Sequence, residues 1–258
     1  MDNEELKKIY DGIYAKGSDE HYTKSKYHLV REIHEAVVSG VQWKGKDVMD
    51  VGCGAGDFTL LLANLGCKTV TGIDYSKEAI EKASTKNSHD TLSFVNKNLF
   101  EMDGEFDLIV SLGTLEHMDS PLEGLQKMKS MLHPGGEIIV TVPSLLNPRG
   151  YVLLTLLFLY DAQITLADLH YLSPSHFEEW AKELEMQLNW QTVNHSWGSG
   201  KVAIADLRER LPKVSKSSNL NISDEKIEML CNWLESNSIE HHKESDISGA
   251  IGIYRLSV

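Results

Sequence analysis

Three glycines at alternating positions mark the place where this sequence is best suited to hold a ligand. Gly52, Gly54 and Gly56 follow a mostly apolar run at 48–51 and precede a helical pattern. Backbone without Cβ atoms lets a ligand approach closely, and a turn between a strand and a helix lies at the carboxyl edge of a parallel sheet, where doubly wound folds bind ligands. An ordinary tight turn also uses glycines, so this interpretation depends on the residues around them.

An acidic residue, Asp74, ends the next apolar run at 69–74 and stands 18 residues beyond Gly56. That separation suits one strand-helix-strand unit, and a carboxylate at this position can accept hydrogen bonds from both hydroxyls of a ribose. Asp74 could instead cap the following helix, but Ser76 suits that role. Together with the glycines, Asp74 indicates a crevice that binds a nucleoside.

Short apolar runs alternate with helical patterns from residue 46 onward, which predicts β-α-β units and a parallel sheet. The predicted strands are 47–51, 69–74, 92–96, 106–112, 137–142, 188–193 and 250–257. The predicted helices between and after them are 57–65, 77–87, 121–132, one that starts at 174, and 224–236. The predicted fold class is therefore α/β, with a doubly wound, mostly parallel seven-stranded sheet.

Two amphipathic helical patterns precede the first predicted strand, so we expect residues 1–40 to form a helical lid and residues 41–258 to form the main domain. Insertions at about 144–172 and 197–246 interrupt the α/β rhythm of that domain. The first insertion contains the apolar stretch 151–160, for which a buried helix, an acceptor pocket and a dimer face are all open interpretations.

The motifs in order resemble those of a known family. The segments VMDVGCGAG, GIDYS, FDLIVSLGTLEHM and LHPGGEIIVTVP are similar to the successive motifs of class I S-adenosylmethionine-dependent methyltransferases, most like the branch of the ubiquinone-biosynthesis methyltransferases. The resemblance covers residues 46–143 closely and continues more weakly through 169–174. It implies a Rossmann-like methyltransferase fold, the cofactor S-adenosyl-L-methionine, and methyl transfer to an acceptor by in-line displacement.

The resemblance also implies roles for the residues at the first two motifs. Gly52, Gly54 and Gly56 would border the methionine part of the cofactor, and Asp50 would orient the glycine loop or the amino group. Asp74 would bind the ribose. The resemblance further implies that the ring of the next residue lies along the adenine, and that residue is Tyr75.

The third motif region departs from the family pattern. Where the family commonly has an Asp that meets the adenine amino group, this chain has Asn98. The amide oxygen of Asn98 can still accept from an amino group, so we expect weaker adenine recognition rather than none. Leu99 would offer a backbone N–H and an apolar wall, and Leu112 and Gly113 would approach the methionine and the sulfonium.

Two histidines are candidate catalytic residues. His117 follows the fourth predicted strand beside Glu116, and it would act as a base if the acceptor were a hydroxyl. His170, in the weaker part of the resemblance, is the second candidate. A single histidine is more often structural than catalytic. The sequence predicts no metal site, because its three cysteines are scattered and the histidines at 241 and 242 lack a third ligand at a recognisable spacing.

Composition limits the partners and the location of the protein. The formal net charge of −13 is spread along the chain, and lysines and arginines do not cluster, so we expect no nucleic acid as partner. The N-terminus lacks the pattern of a secretory signal, and no apolar run is long enough for an integral membrane segment, which predicts a cytoplasmic protein. A small-molecule acceptor is the expected partner, and a homodimer stays open.

Three rival functions share part of this pattern. A nicotinamide enzyme needs Gly or Ala three residues after Gly54, where this chain has Asp57, whose charge would repel a pyrophosphate. An aminopropyl transferase shares the fold but not the later motifs. A non-catalytic module that binds S-adenosylmethionine and acts through a protein partner remains open on the sequence alone.

Overall fold

The computed structural model describes residues 27–165, 168–239, 245 and 247–258. The first helical pattern of the expected lid, within residues 1–26, lies outside the described residues. The second helical pattern forms helix α1, Tyr27–Val38. The histidines at 241 and 242 also lie outside them.

The described residues form one sheet of seven strands: β1 Asp47–Val51, β2 Thr69–Asp74, β3 Leu92–Asn96, β4 Phe106–Leu112, β5 Leu132–Pro143, β6 Gln187–Val193 and β7 Ile251–Ser257. Their order across the sheet is β3-β2-β1-β4-β5-β7-β6. The four strand pairs from β3 to β5 are parallel. This confirms the predicted doubly wound, mostly parallel α/β fold.

Helices connect the strands and form the later part of the chain. The described α-helices are α1 Tyr27–Val38, α2 Asp57–Asn64, α3 Lys77–Lys86, α4 Pro121–Ser130, α5 Pro148–Tyr160, α6 Pro174–Glu183, α7 His195–Gly198, α8 Lys201–Ser217 and α9 Asp224–Leu234. Two short 3₁₀ turns, Leu99–Glu101 and Leu115–His117, follow β3 and β4. A single π-helical turn, Glu235–Ile239, continues α9.

The centre of the sheet is apolar because helices cover the parallel strands on both faces. Val48, Met49, Ile109 and Val110 are fully buried. In the register, Val51 at the end of β1 pairs with Ile73, next to the end of β2. The carboxyl ends of neighbouring strands therefore meet at one edge, and the loops that follow them share that edge.

The fifth strand is longer than predicted. The strand is predicted to start at residue 137, but β5 begins at Leu132, which pairs with Phe106. The register then shifts before Leu108 pairs with Glu137. Gly135, with φ of 77°, lies within this irregularity, so the Pro-Gly-Gly segment bends the strand instead of preceding it.

The described chain divides into two compact units. One contains residues 27–142, 174–190 and 253–258, and the other contains most of the two predicted insertions, within 143–173 and 191–252. The second unit has a core of its own in which α5, α8 and α9 supply apolar side chains, among them Leu153, Ile204, Leu207, Leu211, Ile227 and Cys231.

The apolar stretch 151–160 is a helix, α5, that is buried on one side only. Leu153 is 1% exposed, whereas Phe158 and Leu159 are 73% and 71% exposed. The interpretation of this stretch as a buried helix therefore holds only for one face. None of the described helices combines the length and the hydropathy needed to span a bilayer.

Candidate active site

The glycine loop after β1 has a backbone that favours glycine at all three positions. Gly52, Gly54 and Gly56 have φ of 74°, 53° and 79°, in the left-handed region. A Cβ on Gly52 would lie 2.2 Å from Thr114 Oγ1, and one on Gly56 would lie 2.5 Å from Phe94 Cζ. Backbone conformation at all three positions, and close side chains at Gly52 and Gly56, therefore favour glycine here. The sequence analysis had considered only the approach of a ligand.

Asp74 connects this loop to the start of α3. Its Oδ2 accepts the Gly54 N–H at 3.0 Å, and its Oδ1 accepts the Ser76 N–H at 2.9 Å. Ser76 caps α3 by accepting the Ala79 N–H at 3.2 Å, as predicted. A carboxylate oxygen can accept more than one hydrogen bond, so the bonds from Gly54 and Ser76 do not prevent either oxygen from also accepting one from a ligand.

Asp50 is a buried carboxyl group beneath the same loop. The Thr59 hydroxyl donates to its Oδ2 at 2.7 Å. Burial raises the pKa of Asp50 from 3.8 to about 7, the hydrogen bond from Thr59 opposes this rise, and the nearby charge of Asp74 adds to it. Asp50 is not among the residues that line the cavity at the carboxyl edge of the sheet, and its hydrogen bond with Thr59 joins β1 to α2.

Replacing Asp50 by asparagine is expected to flatten the pH dependence of unfolding. A carboxyl group whose pKa is higher in the folded chain keeps its proton there, so the free energy of unfolding falls as pH rises from about 4 towards about 7. Each pKa unit corresponds to about 1.4 kcal/mol, so from about pH 5 to about pH 8 the wild type should lose about 2 to 3 kcal/mol that Asp50→Asn retains. Urea unfolding at both pH values measures the difference.

The matched control is Asp103→Asn, because the side chain of Asp103 is 99% exposed. It removes one carboxylate without changing a buried group, so it should keep the wild-type pH dependence. Equal pH dependence in the wild type and Asp50→Asn would contradict the expectation, because it would mean that folding does not raise the pKa of Asp50.

A cavity of about 450 Å³ opens at the carboxyl edge of β1, β2, β3 and β4. This volume lies in the range of small-molecule sites. The predicted site residues that line it are Gly52, Asp74, Tyr75, Asn98, Leu99 and His117. Gly54, Gly56, Leu112 and Gly113 are close to these in sequence but do not line it, and His170 belongs to the other unit.

Other lining residues were missed by the sequence argument. Three lie in the strands themselves, Val51, Ile73 and Asn96, and the others follow β3 or β4: Lys97, Phe100, Glu101, Thr114, Met118, Asp119, Ser120 and Glu123. The loops after these strands were the available signal, because every such loop lies at the same edge of the sheet. The turns in them are too short to produce a helical period in the sequence.

Asn98 caps the 3₁₀ turn that follows β3. Its Oδ1 accepts the Phe100 N–H at 3.1 Å, and its own N–H donates to Glu101 Oε2 at 3.0 Å, which together form a capping box. The amide oxygen that is expected to serve the adenine amino group thus already accepts one bond within the turn, and a carbonyl oxygen can accept a second.

His117 ends the turn after β4, where Gly113 closes the strand by donating its N–H to the Thr141 carbonyl at 2.9 Å. The side chain of His117 is 14% exposed, and its Nε2 lies 4.0 Å from Oε1 of the buried Glu116. A histidine that lines a cavity beside a carboxylate can accept and release a proton near neutral pH.

Comparison with known proteins agrees with this geometry. The family model described as "Methyltransferase domain" matches residues 42–245. The ubiquinone biosynthesis O-methyltransferase of Dictyostelium discoideum is 31% identical over 113 residues, 38% of this chain and 35% of that protein. The Pseudomonas aeruginosa protein of the same name is 25% identical over 154 residues, 56% of this chain and 66% of that protein. The chain thus spans about a third of the length of the Dictyostelium discoideum protein and just under two thirds of the length of the Pseudomonas aeruginosa protein.

A solved chain from the complex between the Haloferax volcanii Trm112 methyltransferase activator and a methyltransferase has the same fold. Its TM-score is 0.63 at 16% identity, and the match covers 96% of each chain. Because the family model spans most of this sequence and the sheet order agrees with the predicted fold, the chain belongs to the methyltransferase domain family, within the class I enzymes whose cofactor is S-adenosyl-L-methionine.

Proposed function

We propose that this chain transfers a methyl group from S-adenosyl-L-methionine to a small-molecule acceptor. The observation that carries the proposal is the position of Asp74, an 8% exposed carboxylate at the end of β2 that lines the cavity and fixes the glycine loop. A ribose carries two vicinal hydroxyl donors, and a carboxylate is suited to bind both because each of its oxygens can accept more than one hydrogen bond.

The cavity residues fit the remaining parts of the cofactor. Gly52 presents backbone without a side chain on one side, while Tyr75 and Leu99 offer ring and aliphatic surface for a flat base. In this proposal Gly54, Gly56, Leu112 and Gly113 shape the loops that border the methionine part, and Asp50 supports them from below. Lining by carboxylates, including Glu101 and Glu123, favours a ligand with positive charge such as a sulfonium.

The cofactor supplies an electrophilic methyl group when bound, so the protein mainly has to align the acceptor with it. A hydroxyl acceptor must also lose a proton. His117 lines the cavity and is the residue that we propose to take that proton. His170 is the second candidate. The second unit, which holds the insertions, is the proposed source of acceptor selectivity.

Incubation with methyl-labelled S-adenosyl-L-methionine and a library of small phenols, amines and thiols tests the proposal. We expect label in an organic product and one S-adenosylhomocysteine released per methyl group transferred. Tight binding of cofactor with no labelled product from any acceptor would favour the alternative function, a non-catalytic module that acts through a protein partner. This alternative is suggested by the Haloferax volcanii structure, in which a methyltransferase is bound to an activator protein.

A further inference from the structure

We propose that helix α5 pairs with α5 of a second copy of this chain, antiparallel and about a two-fold axis. The paired surface is the α5 stripe, which consists of Tyr151, Leu154, Thr155, Phe158 and Leu159. The pairing does not depend on the proposed methyl transfer.

The α5 stripe is one continuous side of the helix. Its residues stand at positions i, i+3, i+4, i+7 and i+8, which share one face of an α-helix. Tyr151, Phe158 and Leu159 are 54%, 73% and 71% exposed. The opposite side carries Leu153, which is buried in the core of the second unit. The stripe is therefore apolar surface that the described chain leaves in water.

The stripe is large enough to form the centre of a dimer interface. An aromatic side chain carries about 150 to 250 Å² of surface, so Tyr151 and Phe158 leave roughly 200 to 300 Å² exposed. With the two leucines and Thr155, the stripe comes to roughly half of the ~800 Å² that each partner contributes to a stable interface. Because such interfaces have an apolar core inside a polar rim, the stripe is suited to be that core.

Thr155 stands in the middle of the stripe and can be buried there without losing a hydrogen bond. Its Oγ1 donates to the Tyr151 carbonyl at 2.7 Å, one turn back in the same helix. Burial of a hydroxyl is costly only when it lacks a partner, and this donor has one. Thr155 is also small, so two α5 helices can approach closely at this position.

The charges of α5 favour a second copy over a lipid surface. Helices that lie on lipid surfaces usually carry basic residues beside the apolar face. The basic residue of α5, Arg149, is 5% exposed and pairs with Asp206 at 3.2 Å. Asp161, exposed at the C-terminal cap of α5, places negative charge at the negative end of that helix dipole. An antiparallel partner brings its positive N-terminus to Asp161, which is favourable.

Sedimentation velocity of the full chain at about 1 to 100 µM tests the pairing, since dissociation constants near 1 µM are measurable there. The wild type should sediment as a dimer. Phe158→Glu would bury a charge in the apolar interface, so its dissociation constant should rise at least about 100-fold. The matched control is Trp233→Glu, the same kind of change at a 61% exposed side chain of α9, and its dissociation constant should stay within about threefold.

Thr155→Val and Thr155→Glu form a second pair of variants, placed at the middle of the stripe. Valine keeps the shape of threonine, so the dimer should persist, whereas two glutamates would face each other across the axis and the dimer should be lost. Circular dichroism of each variant verifies that it is folded.

Three results would overturn the proposal. A wild type that is monomeric throughout this range, or a Phe158→Glu chain that dimerises as the wild type does, would mean that no second copy binds the stripe. Loss of the dimer in Trp233→Glu alone would move the interface to α9. A monomeric wild type that binds phosphatidylcholine vesicles, with binding lost in Phe158→Glu, would assign the stripe to a lipid surface.

Discussion

Replacing Asp74 by alanine is expected to weaken binding of S-adenosyl-L-methionine by about 100-fold or more. Both ribose hydroxyls would lose a charged acceptor, and each such hydrogen bond is worth about 1.5 to 3 kcal/mol. The substitution also removes the acceptor of the Gly54 N–H, so the loop that borders the cofactor would lose a restraint of its own. Calorimetric titration measures the affinity, and urea unfolding in the same buffer measures the stability of the variant.

The control for Asp74→Ala is Ser76→Ala. It deletes the side-chain cap of α3, which costs about 1 kcal/mol, and leaves the Asp74 carboxylate in place. We expect its affinity for the cofactor to stay within about threefold of the wild type. A folded Asp74→Ala chain that binds as tightly as Ser76→Ala would remove Asp74 from the site and contradict the proposed nucleoside position.

Replacing His117 by alanine should lower turnover about 100-fold to 10,000-fold with a hydroxyl acceptor, because a positioned base contributes about that much. Affinity for the cofactor should change little, since the proposed role of His117 is to move a proton. Single-turnover assays with saturating cofactor measure the methyl-transfer step, and calorimetry measures binding on the same samples.

The matched variant for this test is His117→Gln, which keeps a hydrogen-bonding side chain of similar size but cannot take a proton near neutral pH. Turnover should be lost equally in both variants. Normal turnover in His117→Gln together with low turnover in His117→Ala would mean that His117 forms a hydrogen bond but does not take the proton. Normal turnover in both variants would leave alignment alone as the mechanism, or move the base to His170.

The central strands could be predicted from the sequence to the residue. β1 to β4 are short, largely apolar runs that end at Asp74 or Asn96, or directly before Gly52 or Gly113, and the inner strands β1, β2 and β4 are mostly buried. β5 could not, because Pro134 and the following glycines read as a turn, whereas the pairing of Leu132 with Phe106 keeps them inside the strand. A register shift depends on the partner strand, which the local sequence does not show.

The positions of Asp74 and of the glycine loop could be predicted, because each lies at the end of a predicted strand. Asp74 and the glycine loop lie at the predicted edge of the sheet. Asn98 was not fully predictable, because the use of its oxygen depends on a three-residue turn with Phe100 and Glu101. The exposure of α5 could not be predicted either, because its stretch 151–160 has no charged side chain and therefore no polar face from which the buried side could be identified.

The most direct test of the account is a crystal structure of the chain with S-adenosylhomocysteine bound. We expect both ribose hydroxyl oxygens to lie within about 3.2 Å of the Asp74 carboxylate oxygens, inside the cavity of about 450 Å³ beside Gly52. A nucleoside bound elsewhere, or a ribose whose hydroxyls point away from Asp74, would contradict it.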